Sequence, residues 1–114
     1  MPAPYMVSVA GTTFEGRQEV LQTLFALQQK AAQGHDGALA ATLEREPDNR
    51  FDANAIKVIV AGKHIGYVPG FLAAKLAVRM SAGEAFHVAT AEITHGVDSY
   101  RAKIVIDVTS REAV

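Results

Sequence analysis

The run AIKVIVAGKHIGYVP, residues 55–69, leaves this chain few choices of fold. Ile56, Val58 and Val60 alternate with other residues on one face, Ala61–Gly62–Lys63 supplies turn residues, and the chain returns through Ile65 and Tyr67 before Pro69 breaks it. Alternation with period two around a glycine turn marks an antiparallel hairpin. A hairpin alone is marginal in water, so further strands or helices must cover its apolar face.

The same alternation recurs on both sides. Tyr5, Val7 and Val9 fall on one side of a strand that ends at Gly11, and Leu39, Ala41 and Leu43 share a face in ALAATLER. The tail AFHVATAEITHGVDSYRAKIVIDV gives two alternating runs about HGVDS. In the first, Phe86, Val88 and Thr90 oppose Ala89, Ala91 and Ile93, and the second carries Tyr100, Ala102, Ile104, Ile106 and Val108. Together they predict a closing hairpin.

Two segments change the period. Val20, Leu21, Leu24, Phe25 and Gln28 recur at helical spacing, with Gln18, Gln22 and Gln29 facing outward, which predicts a helix of about four turns from Arg17 with Gly34 as its stop. Leu72, Ala73, Leu76, Ala77 and Met80 predict a second, shorter helix that ends at Gly83. The order is then β-α-β-β-β-α-β-β, without the regular alternation of a parallel sheet. A mainly β fold with two helices (α+β) follows: an antiparallel sheet curled into a small, partly open barrel, with residues 1–114 forming one domain.

Composition narrows the function classes. The chain is 49% apolar and 20% charged, which fits a folded globule and not a disordered chain. Without cysteine there is no thiol nucleophile, disulfide or thiolate metal site. No apolar run approaches the roughly 20 residues that span a bilayer, and MPAPYMVSVAG lacks signal-peptide regions, so a cytoplasmic protein with no membrane partner is expected. Eleven Lys and Arg against twelve Asp and Glu give a net charge of −1. That balance excludes a broad electrostatic grip on duplex phosphates and leaves only a local one.

The longest polar segment is REPDNRFDANAI, Arg45 to Ile56, with Phe51 at its centre. Asp48, Asp52 and Asn54 are oxygen ligands of the kind magnesium and calcium take. Arg50 and Ala53 stand where a calcium loop needs a ligand and a glycine, so these side chains read as turn chemistry that satisfies its own backbone. Glu44 and Glu46 read as surface charge. His35, His64, His87 and His95 have no metal-ligand spacing, and Ser8, Ser81, Ser99 and Ser110 have no glycine-flanked elbow. No catalytic residue, metal or cofactor is expected. Phe14 and Phe51 lie in polar loops and Tyr67 ends a strand. Large rings are mostly buried, so plugging the barrel ends is the first reading of the two phenylalanines. The second is stacking on unpaired bases, with Arg17, Arg45, Arg50 and Lys63 as nearby cations for phosphate.

Three motifs carry a resemblance. GTTFEGRQEVL, REPDNRFDANAIKV and GKHIGYVPGFLAAKLA together resemble a HIRAN domain over Val9 to Ala77. This module is found alone in bacteria and at the N-terminus of Swi/Snf-type fork-remodelling translocases. The resemblance implies an OB-like β-barrel with two helices that holds the 3′-hydroxyl end of single-stranded DNA. Carried over by motif, Phe51 and Phe14 would stack on bases, Asp52 would receive the terminal hydroxyl, and Tyr67 would take a wall or phosphate-side role. Two departures stand out: Thr12 and Thr13 replace an Arg and a Tyr before the ring that matches Phe14, and Arg50 replaces the proline usual before the ring that matches Phe51.

The expected function is a non-enzymatic module that binds single-stranded DNA or DNA 3′ ends. Its expected face comprises Thr12, Thr13, Phe14, Arg45, Arg50, Phe51, Asp52 and Tyr67. A protein-interaction module on the same scaffold is the alternative, with a protein partner in place of DNA. A metal-dependent nucleic-acid enzyme, resting only on Asp48, Asp52 and Asn54, is the third.

Overall fold

A computed structural model of the chain describes residues 3–31 and 39–109. The expected order is found: β1 (Tyr5–Ser8), α1 (Arg17–Ala31), β2 (Ala41–Arg45), β3 (Ile56–Val60), β4 (Lys63–Tyr67), α2 (Gly70–Ser81), β5 (Phe86–His95) and β6 (Tyr100–Val108). Gly34, the expected end of α1, lies outside the described residues, as do His35 and Ser110. Among the described residues no helix is long and apolar enough to cross a membrane.

The strands form two antiparallel three-stranded sheets, ordered β1-β6-β5 and β2-β3-β4. The ladder is therefore not closed into a barrel. One backbone bridge joins the sheets among the described residues: Ala10 and Tyr67 each donate an N–H to the other's carbonyl, at 2.8 and 2.9 Å. Gly66 makes that approach possible. A Cβ there would collide with the Ala10 carbonyl oxygen and stand 2.6 Å from Val9 Cγ1, so only glycine fits.

The inner faces share one core. Leu21 and Leu24 of α1, Leu72, Ala73 and Leu76 of α2, Ile56, Val58 and Val60 of β3, and Ala102, Ile104 and Ile106 of β6 are buried in it. The β3–β4 hairpin turns on Ala61 and Gly62, whose φ angles of 51° and 80° put both central residues in the left-handed region that such tight turns require. The helix α2 ends at Ser81, just before Gly83, the expected stop, which has φ 98°.

Two β-bulges correct the expected alternation, because one extra residue moves every later side chain to the other face. In β5 the register shifts between Val88 and Thr90. Phe86 and Val88 therefore join Ala91 and Ile93 against the core instead of opposing them. In the β3–β4 pairing the shift falls between Val58 and Ile59. Ile65 enters the core, whereas Tyr67 pairs with Lys57 on the outer face. Gln18, expected outward, turns inward instead: its amide donates to the Tyr100 carbonyl at 3.0 Å and accepts from the Tyr100 N–H at 2.8 Å.

Candidate functional site

Residues 46–55 link β2 to β3 as a loop whose neck is closed by the Glu46 N–H donating to the Ala55 carbonyl at 2.9 Å. Pro47 presets the backbone of the first turn, which the Asn49 N–H closes on the Glu46 carbonyl at 3.0 Å. The Asn49 Oδ1 then accepts from the N–H groups of Phe51 (2.9 Å) and Asp52 (3.0 Å), and Asp52 Oδ1 accepts from the Asn54 N–H at 2.8 Å. Short polar side chains thus replace the missing sheet partners. They leave Phe51 nothing to pack against: it is 95% exposed. Beside it opens a recess of about 260 Å³ lined by Glu46, Asp48, Asn49, Arg50 and Phe51.

Glu46 anchors this recess to the sheet. Its Oε1 accepts from Asn49 Nδ2 at 2.6 Å and from the Tyr67 hydroxyl at 3.0 Å, and its Oε2 faces Lys57 Nζ at 3.0 Å. The bonds from Asn49 and Lys57, with a smaller one from Tyr67, hold its carboxyl down at about 2, so it is an anion at any ordinary pH. The same contact holds the Lys57 ammonium above the usual lysine range. Burial, and then the bond to Glu46, raise the Tyr67 phenol, which keeps its proton and donates.

On its other side Tyr67 meets α1. The Arg17 guanidinium carbon lies 4.8 Å from the Phe14 ring centroid and 5.4 Å from that of Tyr67, and its Nη1 donates to the Gly11 carbonyl at 2.8 Å. His64 meets the Tyr67 ring edge-on at 4.9 Å. Its Nε2 is 2.9 Å from the Gly66 carbonyl, which can only accept, so Nε2 carries the proton. Burial, and then the charge of Arg17, push the His64 ring below its ordinary value and keep it neutral near pH 7.

This chain of contacts runs from Phe14 through Arg17, Tyr67 and Glu46 to Asn49 and the Phe51 backbone. It brings together Phe14, Phe51, Asp52 and Tyr67 of the expected face, with exposed Arg50 beside Phe51 and exposed Thr13 beside Phe14. Neither phenylalanine plugs the core, since Phe14 is 66% exposed. Two expected residues are engaged elsewhere. Thr12 is buried with its carbonyl accepting from Gln18, and Arg45 donates to Ser81 Oγ at 2.9 Å at the end of α2. Lys63 sits at the far end of β4 from Tyr67. Among the described residues no three of His, Asp or Glu are grouped to hold a metal ion.

The sequence profile of the HIRAN domain covers residues 6–110. The chain belongs to the HIRAN family. HIRAN domains are DNA-binding modules, and the match extends beyond the three motifs, through β5 and β6. No curated protein and no solved structure matched the chain.

In this HIRAN domain the residues that sequence reasoning missed are those that hold the site together. Glu46 passed for surface charge, and the bond that Asn49 makes to it, beyond the turn it closes, went unseen. The signal that could have found Glu46 is register: Glu44 pairs with Lys57, and Lys57 with Tyr67, across the outer face. A carboxylate two residues past Glu44 continues that polar row.

Proposed function

We propose that this HIRAN domain recognises single-stranded DNA or DNA 3′ ends at the recess between β2 and β3, without a catalytic step of its own. The observation that carries this reading is the near-complete exposure of Phe51 on a loop fixed by Asn49. Exposing a large ring forgoes the burial that normally stabilises it, and a base stacked on such a ring recovers about 1–3 kcal/mol.

Asp52 supports the end-recognition part. Its Oδ1 is engaged by Asn54, while its other carboxylate oxygen has no protein partner among the described residues. A carboxylate accepts from a terminal hydroxyl and repels a terminal phosphate. Phe14, Thr13 and Arg50 border the same face, and Thr12 and Arg45 take no part because the fold uses them.

Fluorescence anisotropy with oligonucleotides that end in a 3′-hydroxyl or a 3′-phosphate, and with blunt duplex, tests the reading. The hydroxyl-ended strand binds tightest, Phe51→Ala weakens it by roughly fivefold or more, and Asp52→Ala removes the preference for hydroxyl over phosphate. Absence of binding at low salt, or indifference to both substitutions, refutes the reading.

A second reading has its own observation: Phe71 and Val78, two turns apart on α2, are 75% and 69% exposed. They suit a protein-interaction module. A partner that stays bound in a pull-down after nuclease treatment supports it, and one released by nuclease counts against it.

A further inference from the structure

We infer that Arg17 binds a backbone phosphate of the strand whose base stacks on Phe51, and that Phe14 serves chiefly to hold Arg17 in place. The inference rests on the DNA-binding reading and goes beyond it, because it assigns the phosphate contact and divides the labour among the rings.

Four observations carry it. First, the guanidinium lies against both Phe14 and Tyr67, at 4.8 and 5.4 Å. The cation takes one face of each of those rings, whereas Phe51, 95% exposed, has no ring or cation against it among the described residues and is the better stacking platform. Second, Nη1 is tied to the Gly11 carbonyl, and no other hydrogen bond or ion pair engages the group among the described residues. The remaining N–H donors of a planar, permanently charged fork are thereby aimed and unspent, which is the arrangement that suits phosphate oxygens.

Third, the other cations packed around this face are engaged, apart from Arg50, which stands exposed on the loop with no ring to hold its guanidinium among the described residues. Lys57 is paired with Glu46, Arg45 with Ser81, and Arg79 with Glu84 and the Tyr5 hydroxyl. Fourth, the charges are segregated about Tyr67. Its ring meets Arg17, whereas its hydroxyl meets Glu46, a fixed anion in the same recess wall as Asp48. A strand laid across Tyr67 is favoured with its phosphate toward Arg17 and its uncharged end toward the carboxylates. Gly11 belongs to this device. A Cβ there would come 2.9 Å from Arg17 Nη1, and its φ of 73° already favours glycine.

The test is the salt dependence of binding to a short labelled single strand by wild type, Arg17→Ala, Arg17→Lys and Phe51→Ala. Arg17→Ala weakens binding about tenfold and lowers the slope of log K against log salt by about 0.7, the contribution of one single-strand phosphate. Arg17→Lys keeps the slope with reduced affinity, and Phe51→Ala loses affinity with the slope intact. A scan of single methylphosphonate linkages finds one position that weakens wild type and leaves Arg17→Ala unchanged. If Arg17→Ala does not fold, Arg17→Lys and the linkage scan on wild type decide. Binding that depends on Phe51 but keeps its slope in Arg17→Ala, or a scan with no sensitive linkage, overturns this inference alone. No binding by wild type overturns it together with the DNA-binding reading.

Discussion

Gln28 and Ile93 exchange two hydrogen bonds: the Gln28 Oε1 accepts from the Ile93 N–H at 2.8 Å, and its Nε2 donates to the Ile93 carbonyl at 2.8 Å. The glutamine stands in for a strand that β5, at the outside of its sheet, does not have. Gln18 does the same for Tyr100 of β6, so one helix face caps backbone groups on both strands of the closing hairpin. Gln28→Ala leaves an N–H and a carbonyl unpaired in a part-buried place and costs about 1–3 kcal/mol in urea unfolding. Gln29→Ala, on the exposed side, stays within about 0.5 kcal/mol of wild type.

Glu46 makes stability depend on acid. Its folded carboxyl titrates at about 2, below the ordinary 4.5. The folded state therefore binds fewer protons than the unfolded one, and the contribution is whole above about 4.5 and is lost as pH falls toward 2. Urea midpoints measured from pH 7 down to 2 should decline more steeply in wild type than in Glu46→Gln. Parallel curves would show that Glu46 is not the group responsible.

Asn49 should matter more to the loop than to the fold. Asn49→Ala removes the acceptor of the Phe51 and Asp52 N–H groups and one donor to Glu46. Amide exchange at Phe51 and Asp52 accelerates, and affinity for single-stranded DNA drops roughly fivefold, equivalent to about one hydrogen bond. Exchange at Ile104, in the core, is unchanged.

Ala61 offers a gain. It holds a φ of 51° at the first central position of the β3–β4 turn, a conformation that Asn tolerates better than Ala. Ala61→Asn raises stability by about 0.5–1 kcal/mol, read as a higher urea midpoint at unchanged slope.

Gly66→Ala tests the joint between the sheets. The new methyl meets the Ala10 carbonyl and the Val9 side chain, and such overpacking costs about 1–3 kcal/mol. Because the backbone beside Tyr67 must move to relieve it, DNA affinity falls as well. A variant of native affinity would show that Tyr67 is positioned independently of the bridge.

The element order was legible because period and punctuation are local properties: Gly62 and Gly83 mark a turn and a helix end whatever surrounds them. The two bulges were not, since an unpaired residue in one strand is defined by its partner strand. The bulge beside Val58 and Ile59 matters most to the site, because it turns Tyr67 outward to Glu46 and Arg17 while Ile65 stays in the core. The motifs located the recess and its ring. They did not reveal that Arg45 is bound to Ser81, thirty-six positions away, or that Phe14 already faces a cation. Those facts depend on which distant side chains the fold brings within reach.

The reciprocal bridge between Ala10 and Tyr67 ties the candidate binding surface to the joint of the two sheets. The residue whose ring meets Arg17 and whose hydroxyl meets Glu46 is also the one whose amide and carbonyl bridge one sheet to the other. Pressure on that ring is therefore transmitted to a seam held by two hydrogen bonds. Solvent exchange of the Ala10 amide, which touches no ligand itself, becomes an internal gauge of whether the recess is occupied.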